Sequence, residues 1–154
     1  DTNDITDATG VELVGLEFAA INGPLSVQGE WQQASVDSVA AGNPDFTSYY
    51  VYGSYFLTGE NRVYKRSSAT FSRVKPKENY LGGGGSGAIE LALRYSSADL
   101  SDGNNTTGGE LDNITLGLNW HLNPNTRVML NYTAADLAET GDSNIVQVRF
   151  QIDF

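Results

Sequence analysis

The final segment, Asn144 to Phe154, reads Asn-Ile-Val-Gln-Val-Arg-Phe-Gln-Ile-Asp-Phe, and from Val146 onward it alternates without a fault. Val146, Val148, Phe150, Ile152 and Phe154 fall on one side, and Gln147, Arg149, Gln151 and Asp153 on the other. Strict period two requires an extended strand with one apolar and one polar face. In a soluble sandwich the apolar face looks inward onto a core. In a membrane barrel it looks outward at lipid, and the polar face lines a wet interior. The rest of the chain has to choose between these two solvents.

At 154 residues the chain suits one domain. No apolar run approaches about eighteen residues, so a transmembrane helix is excluded. The start lacks a basic stretch followed by an apolar one, and reads as a mature or trimmed product. The absence of Cys removes disulfides, thiolate metal sites and cysteine nucleophiles together. Seventeen Gly, eight Tyr, a single Met and many Asn, Ser and Thr suit β-structure with polar connections. A net charge of −10 argues against a nucleic-acid partner but not against a barrel, whose acidic loops can dominate the sum.

Period two recurs along the chain. Val11 to Ile21 alternates Val14, Leu16, Phe18 and Ala20 with Gly15, Glu17 and Ala19, and Asn22-Gly23-Pro24 is a tight turn. Leu25 to Val36 returns, with Leu25, Val27, Gly29 and Trp31 opposite Ser26, Gln28, Glu30 and Gln32. After a polar connection, Phe46 to Leu57 is so aromatic that its faces are hard to separate; Tyr49, Val51, Gly53, Tyr55 and Leu57 are assigned to the apolar side. Ala88 to Ser96 sets Ile89, Leu91, Leu93 and Tyr95 against Glu90, Ala92 and Arg94. Asn113 to Leu122 sets Ile114, Leu116, Leu118 and Trp120 against Thr115, Gly117, Asn119 and His121. Arg127 to Ala135 sets Val128, Leu130 and Tyr132 against Met129, Asn131 and Thr133.

Seven strands of about nine to eleven residues result, the length that a tilted strand needs to cross a bilayer. Apart from 58–87, the connections alternate between the short turns at Asn22 and Asn123 and longer polar loops at Asp37–Asp45, Asp99–Asp112 and Asp136–Ser143. That asymmetry, with Trp120, Phe56 and Phe154 toward one interface and Trp31, Tyr95 and Tyr132 toward the other, predicts a transmembrane antiparallel β-barrel. Seven strands leave two open edges, which lipid does not tolerate, so another polypeptide supplies the rest or Tyr64 to Val74 is an eighth strand. The second option would turn the Asn22 turn outward and is the weaker.

Several blocks resemble the phosphate-selective porin O/P family of Gram-negative outer membranes. They are Tyr55-Phe56-Leu57-Thr58-Gly59-Glu60, Phe71-Ser72-Arg73-Val74-Lys75-Pro76 and Gly87-Ala88-Ile89-Glu90-Leu91-Ala92-Leu93-Arg94-Tyr95-Ser96. Leu116-Gly117-Leu118-Asn119-Trp120, Val128-Met129-Leu130-Asn131-Tyr132 and the terminal Val148 to Phe154 follow in family order. A closing strand that ends on Phe also resembles outer-membrane proteins, whose assembly machinery reads that residue. The resemblance implies the C-terminal seven strands of a barrel of about sixteen, located in the bacterial outer membrane and usually a homotrimer. It also implies that the family's constriction loop and most of its arginine ladder lie N-terminal to this chain. The implied partners are outer-membrane lipid, small anionic solutes and the N-terminal remainder of the same barrel, as a separate chain or fragment. The chain is then one domain over 1–154, with 1–10 the remnant of an extracellular loop and 58–87 an irregular, basic, Gly-rich segment on the periplasmic side.

On this reading Glu17, Glu30, Glu90, Arg94, Asn119, His121, Arg127, Asn131, Gln147, Arg149 and Gln151 line the pore. The anion-attracting candidates are Arg62, Lys65, Arg66, Arg73, Lys75 and Lys77, six of the nine basic residues. Their plainer alternative is a solvated rim whose charges pair with Glu60 and Glu78. His121 has no second His or carboxylate at ligand spacing and reads as a polar lumen residue. Asp99, Asp102, Asn104 and Asn105 beside Gly103 suggest a calcium loop only faintly, since the closing Glu is missing. No nucleophile, base and acid converge, so neither catalysis, metal nor cofactor is expected. The function implied is passive diffusion of small hydrophilic solutes, anions such as phosphate among them. The alternatives are a structural or adhesive surface barrel, whose outer loops hold a partner, and a soluble barrel binding a small molecule.

Overall fold

The computed structural model describes residues 2, 4–80, 82–103 and 106–154. Seven long strands, β1 (Gly10–Asn22), β2 (Leu25–Asp37), β3 (Asp45–Phe56), β6 (Ala88–Asp102), β7 (Thr106–Asn123), β8 (Thr126–Leu137) and β9 (Gly141–Ile152), form one sheet in the order β1-β2-β3-β6-β7-β8-β9. Every pairing is antiparallel. The short strands β4 (Tyr64–Lys65) and β5 (Thr70–Phe71) pair only with each other. Tyr64 to Val74 is thus a small hairpin and not an eighth sheet strand. Gly23 takes a positive φ of 55° in the two-residue turn between β1 and β2, a conformation that favours glycine.

Cross-strand partners share a face, so the register sorts the side chains. Leu25, Tyr55, Leu91, Leu118, Leu130 and Val148 form one row, and Val27, Gly53, Leu93, Leu116, Tyr132 and Val146 the next. The assignment of Tyr49, Val51, Gly53 and Tyr55 to the apolar side holds in this register. This face is open: Leu118 is 37% exposed and Val148 72%. Most of the covered positions are polar, with Ser26, Ser54, Glu90, Asn119 and His121 gathered on the opposite face beside the buried Phe56 and Ala88. Leaving a large apolar side chain in water forgoes about 1.5–3 kcal/mol, so a face carrying this many requires an apolar solvent. The sheet is inside-out relative to a soluble protein.

Three expectations need correction. The strands run to 12–18 residues because the ladder continues through stretches that read as loops. Main-chain hydrogen bonds do not depend on side-chain polarity, and residues beyond the bilayer's reach can extend a hairpin in water. The connections beyond these ends shrink to 38–44, 103–105 and 138–140. A bulge between Asp99 and Ser101 is stitched by the Asp99 carboxylate, which accepts from the Ser101 N–H at 2.9 Å. The calcium reading falls partly outside the described residues, at Asn104 and Asn105, while Asp102 instead accepts from the Asp45 N–H at 2.8 Å.

The second correction is Phe56. It pairs with Glu90 on the polar face and is buried, so it belongs to no aromatic girdle. Beside Trp120 stands Tyr80 instead, meeting it edge to face at 4.8 Å. At the other end Tyr49 and Tyr95 lie 5.9 Å apart near Trp31. Finally, the last strand closes at Ile152, although Asp153 still donates to the Asn125 carbonyl at 2.8 Å.

Candidate functional site

All the residues assigned from sequence to the wet side lie on one face of the sheet. Glu17 opposes Glu30; Arg94 shares a row with Tyr52, Thr115 and Thr133; Asn131 opposes Gly117 and Gln147. Glu90, Asn119, Met129 and Arg149 form another row, and His121, Arg127 and Gln151 the one nearest the β7–β8 turn.

The segment between β3 and β6 folds across this face. Its neck is Glu60, buried where the Thr58 hydroxyl donates to one carboxylate oxygen and the Lys77 N–H to the other at 3.0 Å. Burial works against the charge, but these hydrogen bonds and the Lys77 ammonium outweigh it and hold the Glu60 carboxyl below the usual carboxylate range. A depressed folded-state pKa contributes stability that is fully present above the unfolded value and lost as pH falls through the folded one. Backbone amides of 58–77 should therefore lose hydrogen-exchange protection as pH falls below the usual carboxylate range, after correction for intrinsic exchange. The Glu60→Gln variant should show little of that change, and an identical pH response in both proteins would contradict the assignment.

Beyond the neck, Arg62 reaches the sheet. Its Nε and Nη2 donate to Glu90 Oε1 at 3.0 and 2.8 Å, and Nη2 also donates to the Tyr52 hydroxyl at 2.9 Å. Glu90, 1% exposed, takes a further bond from Asn119 at 3.0 Å on its other oxygen, with His121 Nε2 at 3.4 Å. His121 thus has a carboxylate neighbour that sequence spacing concealed, because the register brings it two positions along from Glu90's own partner. Asn119 and His121 are 7% and 6% exposed, covered like Glu90.

The β4–β5 hairpin lies over Glu17, Gln28 and Tyr50, where Tyr64, Ala69 and Phe71 border a shared cavity. Farther on, Arg73 donates to the Asn125 side chain at 2.7 Å across a polar cavity of about 250 Å³ at the β7–β8 turn. Lys65, Arg66 and Lys75 are exposed. Among the described residues the basic segment makes one ion pair, with Glu90 on the sheet; the expected side-chain pairing with Glu78 is not among its contacts.

The remaining arginines have neutral company. Arg94 stacks on the Tyr50 ring at 4.4 Å. Arg127 holds Gln151 Oε1 through two donors at 3.1 and 2.8 Å, and Gln151 in turn donates to Asp153 at 2.7 Å. Tyr50 and Tyr52, the ring platforms for Arg94 and Arg62, were missed in the sequence reading. Strict alternation from Tyr49 and Val51 was the signal that could have found them.

A family model described as phosphate-selective porin O and P matches residues 1–154. A protein of Caulobacter vibrioides, described only as uncharacterized, is 33% identical over 149 residues, covering 91% of this chain and 29% of that protein. Porin O of Pseudomonas aeruginosa is 31% identical over 140 residues, covering 84% of this chain and 31% of the porin. The chain therefore spans less than a third of the length of either relative. The match places the chain in the bacterial outer membrane. With its lipid-suited outer face and charged inner one, the chain belongs to the phosphate-selective porin O and P family.

Proposed function

We propose that this chain forms the C-terminal part of a porin barrel of about sixteen strands, through which small hydrophilic solutes, anions such as phosphate among them, diffuse passively. The observation that carries this is the inverted sheet: apolar rows left open on one face, and charged and amide side chains gathered on the other. β1 and β9 each pair on one side only, and unpaired backbone groups in lipid cost several kcal/mol each. Those edges need further strands, which an N-terminal remainder of the same barrel would supply; complete barrels then associate as homotrimers. The pore-lining set keeps Arg94, Arg127, Asn131, Gln147, Arg149 and Gln151 toward solute, with Glu17 and Glu30 on the same face. Glu90, Asn119 and His121 act as wall beneath the crossing segment. Of the basic candidates, Arg73, Lys65, Arg66 and Lys75 supply positive potential at the periplasmic mouth, raising local anion concentration.

A scaffold role leaned on long outer loops, and the connection at 138–140 is a short turn, so solute passage is the stronger reading. The test is a planar bilayer with the complete barrel. Ohmic single-channel steps are expected, with chloride current reduced when phosphate is added and competes for the same lumen. Barrels that assemble yet stay electrically silent would sink the porin reading. Intact mass of the native particle checks the remainder; a closed particle holding seven strands alone contradicts it.

A further inference from the structure

We propose that the Arg62–Glu90 pair is a latch holding the 57–87 segment across the lumen, and that this segment is a strap whose release widens the passage. The inference rests on reading the polar face as lumen. One side chain from the strap gathers partners on three elements. Arg62 bonds Glu90 on β6 and the Tyr52 hydroxyl on β3, and its guanidinium lies 5.2 Å from both the Tyr52 ring and the Phe71 ring of β5. Glu90 is braced in turn from β7 by Asn119. Charge-assisted bonds of this kind are roughly twice as strong as neutral ones.

The other attachments are weaker or lie at the ends. Arg73 meets a neutral amide at an exposed site, and Glu60 and Tyr80 fix the two ends. Between those ends, Arg62 is the only strap residue with a buried ionic contact among the described residues. Gly82 and Gly84 sit near the second end at φ of 83° and 72°, with nothing within 4 Å of where a Cβ would stand. Gly83 and Gly85, between and after them, are packed against Asn79 and Glu78, so this end is held as well. Gly87, whose Cβ would meet the His121 carbonyl at 2.4 Å, is held fast against the wall. The strap thus has two fixed ends and one buried fastening between them. Arg62, spent on Glu90, is a positioning residue for the strap and not an anion ligand.

The test uses the complete barrel carrying Arg62→Gln or Glu90→Gln, with Arg62→Lys as the charge-keeping variant. Tryptic cleavage at Lys65 and Arg66 should accelerate on the order of tenfold or more in both neutral variants, since cleavage follows the open population. Arg62→Lys should fall between them and the parent. Single-channel records should gain a larger conductance level in the same order. Gel mobility of unheated samples reports whether the wall still assembles. Unchanged cleavage and conductance in a conducting barrel overturn the latch while leaving the pore reading intact. Faster cleavage with unchanged conductance overturns the gating claim, as does failure of both neutral variants to assemble, which would make the pair a wall element. A parent barrel that carries no current sinks the pore reading and the gate with it.

Discussion

Leu118→Arg is expected to block barrel assembly, while Gln147→Arg leaves it nearly untouched. Leu118 stands in the middle of the row Tyr55, Leu91, Leu118, Leu130 and Val148, on the face left open to lipid. An arginine at the bilayer midplane of such a face costs about 2–4 kcal/mol, which shifts a folding equilibrium by a factor of roughly 30 to 1,000. Gln147 points the other way, shares its row with Asn131 and is exposed, so a cation there is hydrated. Asn119, the sequence neighbour of Leu118, is a poor control. It is buried against Glu90, and an arginine there would break the network under the strap. The fraction of protein showing heat-modifiable gel mobility after refolding into detergent or lipid measures the effect. Equal damage at both positions, or the reverse order, would invert the faces.

The faces were legible because lipid on one side and water on the other enforce period two, and the run from Val146 to Phe154 states that period plainly. Even Phe46 to Leu57 yielded, since once Tyr49 and Val51 are assigned every other residue follows. The lengths of β6 and β7 were not legible. Ser101, Asp102, Thr106 and Thr107 carry no apolar alternation, yet the backbone ladder includes them because water imposes no pattern on either face. Phe56 was misplaced by composition: an aromatic near a strand end suggests a girdle, but parity puts it with Glu90. The Arg62–Glu90 pair was beyond local reading for a different reason. Its partners stand 28 positions apart and meet only because an irregular segment turns back onto the sheet, a tertiary event with no periodic signature.

Neutralising Arg94 and Arg149 together is expected to move the channel's preference toward cations. The plainer account of these arginines has them bound to Glu17, Glu30 and Glu90 as wall pairs. The contacts favour free charge. Among the described residues Glu90 is engaged by Arg62, Glu17 and Glu30 face each other across β1 and β2, and Arg94 rests on the neutral ring of Tyr50. Arg149 is exposed, and Arg127 keeps its charge while bonded to the Gln151 amide. An arginine about 7 Å from a passing ion in water-like surroundings contributes about 0.6 kcal/mol, on the order of threefold more anion and threefold less cation at its own depth. The double variant Arg94→Gln/Arg149→Gln should then lower the anion-to-cation permeability ratio by close to an order of magnitude. Screening by salt makes the shift larger in dilute electrolyte than in concentrated electrolyte. Because arginine stays charged at any working pH, the effect should not vary with pH. Reversal potential across a salt gradient reads the ratio directly. An unchanged potential accompanied by reduced thermal stability would return these arginines to the wall and leave selectivity to the strands beyond β1.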